Sequence, residues 1–305
     1  MPYKPRTISS ELQTLKFLNL RMKLPPKDKQ YFLQLSKGFD GELKFDTWTE
    51  TLQCDCIIIN DLLLKINNTI FQIDSLIIAG GKVYFYEVKN YEGDFVYHSQ
   101  SDKFFIKPQQ EIVNPVLQAA RSESLLTQLL NRYGFNTNIE SFVVFINDEF
   151  TLYQAPLDKP IIYPNQIKRY IKQFNSLSSK LNRNHFFLAD KLISLHINDS
   201  PYKQLPSYSY DQLRKGITCL KCNSFSISLK GSKCICEQCG YMEAISTAVM
   251  RSVKEFQLLF PEQKITTNII HDWCRVVKSK RTISSILAHN FRVESNNNNR
   301  WTYYR

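Results

Sequence analysis

The sequence has no run of about 18 uncharged apolar residues, the length that a membrane-spanning helix requires. Its N-terminal segment, MPYKPRTISS, has no hydrophobic stretch of the kind found in secretory signals. Internal repeats are absent, and the low-complexity sequence is confined to the asparagine run at residues 296–299. We therefore expect no membrane partner and a cytoplasmic location.

The composition indicates a folded protein with more than one domain. The chain has 305 residues, of which 43% are hydrophobic and 13% aromatic, and single cores stop growing at about 250–300 residues. The formal net charge is +11, of which residues 206–305 contribute +8 and residues 1–205 contribute +3. A basic C-terminal region favours a polyanionic partner such as nucleic acid, although charge alone is explained equally well by solubility.

The order of predicted elements is that of an α/β protein. A helix opens at Gly41-Glu42 and is followed by three strands, CDCIIINDLLLKI, TIFQIDSLIIA and KVYFYEVKN. A second helix starts at Asn114-Pro115, an N-cap followed by proline at the first helical position, and the strands SFVVFIN and PIIY come after it. This alternation predicts one compact α/β core over residues 38–163.

Other regions flank this core. Prolines and alternating serine and tyrosine indicate a linker over residues 201–218. The predicted regions are an N-terminal helical extension (1–37), the core (38–163), a helical extension with linker (164–205), a cysteine module (206–243) and a C-terminal module (244–305).

A glycine pair at 80–81 makes the pairing of two strands predictable, because a two-residue hairpin loop fixes which residues face each other. Ala79 lies opposite Lys82, and the same register places Asp74 opposite Glu87. Directly opposed carboxylates repel each other unless a cation lies between them. The pairing therefore indicates a cation site far from the turn.

The next pair in this register, Gln72 and Lys89, projects from the same face of the sheet as Asp74 and Glu87. Carboxylate oxygens are the ligands that Mg²⁺ prefers, and Mg²⁺ keeps several waters. A nearby lysine can orient or deprotonate an attacking water and stabilise developing negative charge. The four polar side chains therefore predict phosphodiester hydrolysis with Mg²⁺ (or Mn²⁺) at this face.

At these residues the sequence resembles the nuclease-related domain (NERD) family of the PD-(D/E)xK superfamily. The resemblance covers about residues 38–150 and includes FQIDSLIIAGGKVYFYEVKNYEG and NPVLQAAR. It implies a restriction-endonuclease-like αβββαβ core and a nuclease activity. It also implies roles for five residues: Asp74 and Glu87 as metal ligands, Lys89 as the catalytic lysine, Glu42 as the upstream helix carboxylate, and Gln118 as a supporting polar residue.

Several of these side chains also have purely structural explanations. Glu42 would complement a helix N-terminus, Glu87 and Lys89 would form a solvated ion pair at a strand end, and Gln118 would lie on a helix surface. Asp74 is harder to explain in this way, because it interrupts an apolar strand and faces another acid.

Four cysteines form the pattern C-x2-C, x13, C-x2-C, which is typical of a zinc ribbon. The intervening SFSISLKGSKCI predicts two short strands, and so small a unit requires a structural Zn²⁺ to fold. Cys234 is a competing ligand, but its C-x-C spacing is less regular. The predicted zinc ligands are Cys219, Cys222, Cys236 and Cys239; Cys54 and Cys56 are predicted to be ordinary thiols.

The C-terminal region predicts three helices followed by a hairpin, the order of a winged helix-turn-helix. Thr266 and Thr282 are the expected N-caps of its second and third helices, and His271 and His289 are expected to be packing or helix-surface residues rather than metal ligands. The alternative is a helical cap with a solvated basic face. The residues expected to contact DNA are Lys278, Lys280, Arg281, Arg292 and Arg300.

Together these features predict a metal-dependent DNA nuclease or DNA-processing protein. A catalytically inactive DNA-binding scaffold is the main alternative, and a protein-interaction adaptor whose ribbon docks on a larger DNA-processing complex is another. A homodimer is a further option that the sequence leaves open.

Overall fold

A computed structural model describes residues 1–107, 110–295 and 302–305. The chain divides into two compact units. Unit 1 contains Met1–Ser9 and Leu33–Lys203, and unit 2 contains Ser10–Phe32 and Gln204–Arg305. The predicted N-terminal extension, 1–37, therefore contributes its two ends to unit 1 and its middle to unit 2.

The α-helices of the described residues are α1 (Ser10–Arg21), α2 (Pro26–Thr49), α3 (Pro115–Arg132), α4 (Ile167–Asn175), α5 (Arg183–Ser194), α6 (Ile245–Leu259), α7 (Thr267–Cys274) and α8 (Lys280–Asn290). The β-strands are β1 (Ile57–Ile66), β2 (Thr69–Ala79), β3 (Lys82–Lys89), β4 (Gly93–His98), β5 (Lys103–Ile106), β6 (Gln110–Ile112), β7 (Asn138–Phe145), β8 (Phe150–Tyr153), β9 (Ile161–Ile162), β10 (Ile227–Lys230), β11 (Lys233–Cys236), β12 (Met242–Ala244), β13 (Val293–Ser295) and β14 (Thr302–Tyr304). None of these helices combines the length and apolar character needed to cross a membrane.

Unit 1 is built on a five-stranded sheet of order β1-β2-β3-β7-β9. The first three strands form an antiparallel meander, whereas β7 runs parallel to β3 and β9 runs parallel to β7. Helix α2 precedes the meander and α3 connects it to β7, so the chain follows the predicted αβββαβ order. The α/β fold class is confirmed.

The sheet of unit 1 is apolar on both faces, and helices cover each face. Val83 and Phe85 of β3 belong to one core cluster with residues of α3 and α5. Tyr84 and Tyr86 of the same strand belong to a second cluster with residues of α2 and α4. The alternation follows the period of two in a strand, and it explains why the strands have nearly continuous hydrophobic sequences.

A second sheet of unit 1, of order β6-β5-β4-β8, was not predicted. Its strands are short and carry many exposed residues, so their sequences lack a clear apolar alternation. Phe95 and Phe104 nevertheless lie in the same core cluster as α3. This small sheet extends the core beyond the strands that the pattern predicted.

The predicted start of the first core helix at Gly41-Glu42 is wrong. Helix α2 begins at Pro26 and continues through both residues to Thr49. A Cβ at position 41 would lie 2.5 Å from the Cβ of Asn90, so this glycine permits close packing between α2 and the chain after β3. By contrast, Asn114 caps α3 as predicted, accepting a hydrogen bond from the Val116 N–H.

Unit 2 combines a three-stranded sheet of order β10-β11-β12 with helices α6, α7 and α8 and the β13–β14 hairpin. Its apolar core includes Leu213 and Ile217, which come from the segment predicted to be a linker, and Leu18 and Leu24 from the N-terminal region. Because these leucine and isoleucine side chains are buried, the segment packs as part of the unit.

Gly41→Ala is expected to destabilise unit 1 by about 1–3 kcal/mol, because overpacking against Asn90 outweighs the better helix propensity of alanine. Gly38→Ala is the matched control, since a Cβ at that helical position meets no atom within 4 Å, and it should stabilise the protein by up to about 1 kcal/mol. Urea denaturation of both variants measures the two changes. Equal effects would contradict the packing role of Gly41.

Candidate functional site

The β2–β3 hairpin has the predicted register as far as Ser75 opposite Tyr86. Asp74 lies one residue beyond this last pair, and its Oδ2 accepts a hydrogen bond of 2.8 Å from the backbone N–H of Val88. The carboxylate thus replaces a backbone acceptor in the ladder. Asp74 and Glu87 therefore lie close together at the end of the β2–β3 pairing, where side-chain contacts replace the backbone ladder.

Glu87, Lys89 and Gln118 form a closed hydrogen-bond network. The Lys89 Nζ donates to Glu87 Oε1 at 2.7 Å and to Gln118 Oε1 at 3.1 Å. The Gln118 Nε2 donates to Glu87 Oε1 at 2.6 Å. Glu87 is only 3% exposed, so Glu87 and Lys89 are not a solvated strand-end pair. Gln118 is exposed on the surface of α3 but hydrogen-bonds to both of them.

Asp74 experiences strong electrostatic strain. Burial, followed by the charges of Glu87 and Glu42, raises the pKa of Asp74 well above its usual value, against the opposing effects of Lys89 and the Val88 N–H. Buried acids that repel one another bind a cation favourably, because the cation replaces the missing solvation. The arrangement therefore attracts a positive charge.

Glu42 joins this cluster from α2 with a partner that the sequence did not reveal. The side chain of Arg6, which is 1% exposed, donates to Glu42 at 2.6 Å, to both carboxylate oxygens of Asp46, and to the backbone carbonyl of Asp74. Burial raises the pKa of Glu42 to about 7, opposed by Arg6 and reinforced by Asp61 and other acids. Glu42 lies inside α2, so the helix N-terminus explanation is wrong.

Asp46 and Arg6 were not predicted as part of the site, and the sequence contains a signal for Asp46 alone. Asp46 follows Glu42 by one helical turn, so the spacing alone indicates a shared face. Arg6 lies far away along the chain, in a segment that hydrogen-bonds to β1 through Tyr3 and Lys4. No local pattern connects it with the acids.

A pocket of about 250 Å³ opens beside the carboxylates. Its lining includes Asp74 and Glu87, apolar side chains of β2, and one face of α3. The pocket gives a ligand direct access to the two acids.

The donor set of Asp74 and Glu87 fits a hard cation such as Mg²⁺, which takes oxygen ligands and completes its shell with water or phosphate oxygens. The fit is to these two carboxylates. Among the described residues, four cysteines form a cluster whose potential ligand atoms all lie within 4.8 Å of one another. Glu42, Asp74 and Glu87 do not form such a cluster.

The four predicted zinc-ribbon cysteines come together in unit 2. The Sγ atoms of Cys219 and Cys239 are 3.6 Å apart, and those of Cys222 and Cys236 are 3.5 Å apart. A tetrahedral Zn²⁺ with Zn–S bonds of about 2.3 Å places its sulfurs roughly 3.8 Å apart, so the cluster fits this ion. Cys234 points into the apolar core and is not in the group.

The basic residues predicted to contact DNA are exposed wherever they are described. Helix α8 begins at Lys280, with Ser279 as its N-cap rather than Thr282, because the Ser279 side chain accepts from the Thr282 N–H. Thr266 caps α7 as predicted. Lys278, Lys280, Arg281 and Arg292 are exposed, and Arg300 lies outside the described residues.

Tyr304 connects the hairpin to the helices of the C-terminal region. It pairs with Ile265 through backbone hydrogen bonding, and its hydroxyl lies 3.1 Å from the hydroxyls of Thr267 and Ser284. The Nε2–H of His271 donates to the backbone carbonyl of Lys278, which is a structural contact. The described hairpin is therefore fixed against α7 and α8.

The α/β core of unit 1 thus carries two buried acids, a lysine and a glutamine at one end of its central strands. Residues 37–146 match the family model described as nuclease-related domain, NERD. The chain thus contains a nuclease-related domain over this region. No curated protein and no solved structure matches the chain.

Cys222→Ser should abolish binding of one Zn²⁺ per chain, because three thiolates no longer close the tetrahedral site. Cys234→Ser is the control, since this cysteine lies on the same ribbon but outside the cluster. Zinc content of the purified full-length variants, measured by mass spectrometry, is the readout. Loss of zinc in Cys234→Ser alone would instead favour the C-x-C ligand set.

Proposed function

We propose that this protein is a metal-dependent nuclease that hydrolyses phosphodiester bonds in DNA. The observation that carries the proposal is the network in which Lys89 and Gln118 converge on the buried Glu87, next to Asp74. These side chains supply metal ligands and a proton-handling cation at the edge of one pocket. The matched nuclease-related domain supports this reaction class.

In this proposal Asp74 and Glu87 hold a Mg²⁺ or Mn²⁺ ion. When bound, the ion supplies Lewis acidity toward a phosphate oxygen. Lys89 is held by hydrogen bonds at its Nζ and orients the attacking water or stabilises negative charge that develops on the phosphate. Gln118 fixes the positions of Lys89 and Glu87 by bonding to both.

Glu42 has a supporting role in this proposal. Its carboxylate adds negative potential at Asp74 and Glu87, and Arg6 holds it in place. The hydrogen bond from Arg6 also limits how far Glu42 can move toward a bound cation. We therefore assign Glu42 a supporting role rather than the role of a metal ligand.

We further propose that unit 2 delivers the protein to DNA. Helix α6 is followed by a short bridge at Ile265, then by helices α7 and α8 and the β13–β14 hairpin. This order supports a winged helix-turn-helix with α8 as the recognition helix. Exposed Lys280 and Arg281 lie at the start of α8, where side chains of such a helix reach DNA. The cysteine cluster, holding structural Zn²⁺, stabilises the adjoining ribbon.

Glu87→Gln and Lys89→Ala are each expected to lower cleavage of plasmid or single-stranded DNA by Mg²⁺-loaded protein at least about a hundredfold, because the first removes a metal ligand and the second removes the cation that acts on the reacting phosphate. DNA affinity, measured by fluorescence anisotropy, should stay nearly unchanged. Glu140→Gln is a matched control, because Glu140 is a β7 carboxylate in a surface ion pair with Lys82.

Undiminished cleavage in Glu87→Gln would contradict the assignment of the site. Tight DNA binding without cleavage by the wild type, with Mg²⁺ or Mn²⁺, would instead favour the DNA-binding scaffold. EDTA should stop cleavage by the wild type, since it removes the ion held by the two carboxylates.

The double variant Lys280→Ala/Arg281→Ala should weaken DNA binding and reduce the salt dependence of log K by about 2, because each phosphate contact contributes about 1. Lys168→Ala/Lys172→Ala is the charge-matched control, with both cations exposed on α4. Anisotropy titrations over a range of salt concentrations compare the two. Identical slopes would contradict recognition by α8.

A further inference from the structure

One wall of the pocket beside the carboxylates contains an arginine that the proposed reaction leaves unused. Gln118, Arg121, Ser122 and Leu125 all line it. They occupy positions i, i+3, i+4 and i+7 of α3, which is the spacing of one helix face. The helix that positions Gln118 therefore also directs an arginine toward the same space.

Arg121 differs from the buried arginines of the chain. Arg6 bonds to Glu42 and Asp46, and Arg21 bonds to Glu255. Within the part of the chain that the structure describes, the Arg121 side chain has neither a hydrogen bond nor an ion pair. Arg121 is an exposed residue that lines the same pocket as the two acids, so its donors are available to an anion.

Ser122 supplies a second donor on the same wall. It is 8% exposed, yet its hydroxyl makes no hydrogen bond to another described residue. Among the described residues, its hydroxyl oxygen is not one of the fully buried side-chain atoms that lack a partner, so it remains accessible. Because Ser122 lines the pocket, a ligand oxygen in the pocket would satisfy it.

The chemistry of the wall fits a phosphate. Guanidinium groups bind phosphate oxygens through two parallel N–H donors, and a hydroxyl adds a third. The remaining lining includes Ile70, Phe71 and Leu125, which offer apolar contact to a sugar. With a volume of about 250 Å³, the pocket is at the small end of ligand sites, which suits one phosphate with its sugar.

We propose that Arg121 and Ser122 form a phosphate-binding subsite that holds the backbone of a nucleic acid strand beside Asp74 and Glu87. This subsite rests on the proposed function, because it places a phosphate next to the groups that act on it. Arg121 would set the position of the strand, and Asp74, Glu87 and Lys89 would act on the neighbouring bond.

The first test measures binding of thymidine 5′-monophosphate to the full-length protein with Mg²⁺, by titration calorimetry. Arg121→Ala should weaken binding about tenfold or more, which is the loss expected for one charge-assisted contact. Arg121→Lys should be intermediate, because it keeps the charge and loses the bidentate geometry. Arg132→Ala is the matched control, an exposed arginine in the last turn of the same helix.

A second test separates positioning from a general structural effect. In DNA cleavage, Arg121→Ala should raise KM more than it lowers kcat, and its penalty should shrink when a neutral methylphosphonate replaces the contacted phosphate. Ser122→Ala should act in the same direction with a smaller effect. Unchanged thermal unfolding of both variants excludes misfolding as the cause.

Equal mononucleotide affinity in Arg121→Ala and Arg132→Ala, or no binding by the wild type, would overturn the subsite. An unchanged KM in Arg121→Ala would overturn it while leaving the hydrolysis intact. Conversely, selective loss of mononucleotide binding in Arg121→Ala, with no cleavage by any variant, would support the subsite and contradict the nuclease activity.

Discussion

The negative charge buried at one end of the β2–β3 pair must be compensated, and side chains from several elements of unit 1 do so. Asp74 and Glu87 are largely buried apart from the side that lines the pocket, and buried carboxylates are stable only when donors or cations face them. The Val88 N–H, the Lys89 ammonium and the Gln118 amide supply these contacts from the sheet and from α3. The Arg6 guanidinium supplies them for Glu42 and Asp46. These partners offset part of the cost, and burial together with the neighbouring acids still keeps the pKa of Asp74 raised.

Unit 2 is stabilised by different interactions. Its ribbon strands β10, β11 and β12 are short and largely exposed, so apolar burial alone contributes little there, and the four cysteines bring the chain together at sulfur distances suited to Zn²⁺. The helical part has a conventional core, in which Phe256 and Trp273 are fully buried. Arg21 stacks over the Trp273 ring and bonds to Glu255, which joins residues from opposite ends of the chain within one unit.

The hairpin shows how far local reasoning reaches. Two glycines determine the loop length, and the loop length determines the register, which the structure shows as far as Ser75 opposite Tyr86. Continued from there, the register brings Asp74 close to Glu87. The same reasoning failed for Glu42. Glycine is a poor helix residue, so Gly41 resembled a helix boundary, whereas tertiary packing against Asn90 requires it inside α2. The small β4–β5–β6–β8 sheet was missed because its strands are too short for a periodic signal.

By itself, the sequence determined the α/β class, the order of the core elements, the register of the hairpin that carries the two acids and the spacing of the four cysteines, because each depends on residues close together in the chain. Only the tertiary structure decided that Arg6 neutralises Glu42, that Arg121 and Ser122 face the same pocket as the acids, and that the segment after residue 203 packs into unit 2. These arrangements depend on how helices pack against sheets. This packing is determined by burial and by the compensation of charge between residues that are far apart in the sequence, which no local pattern encodes.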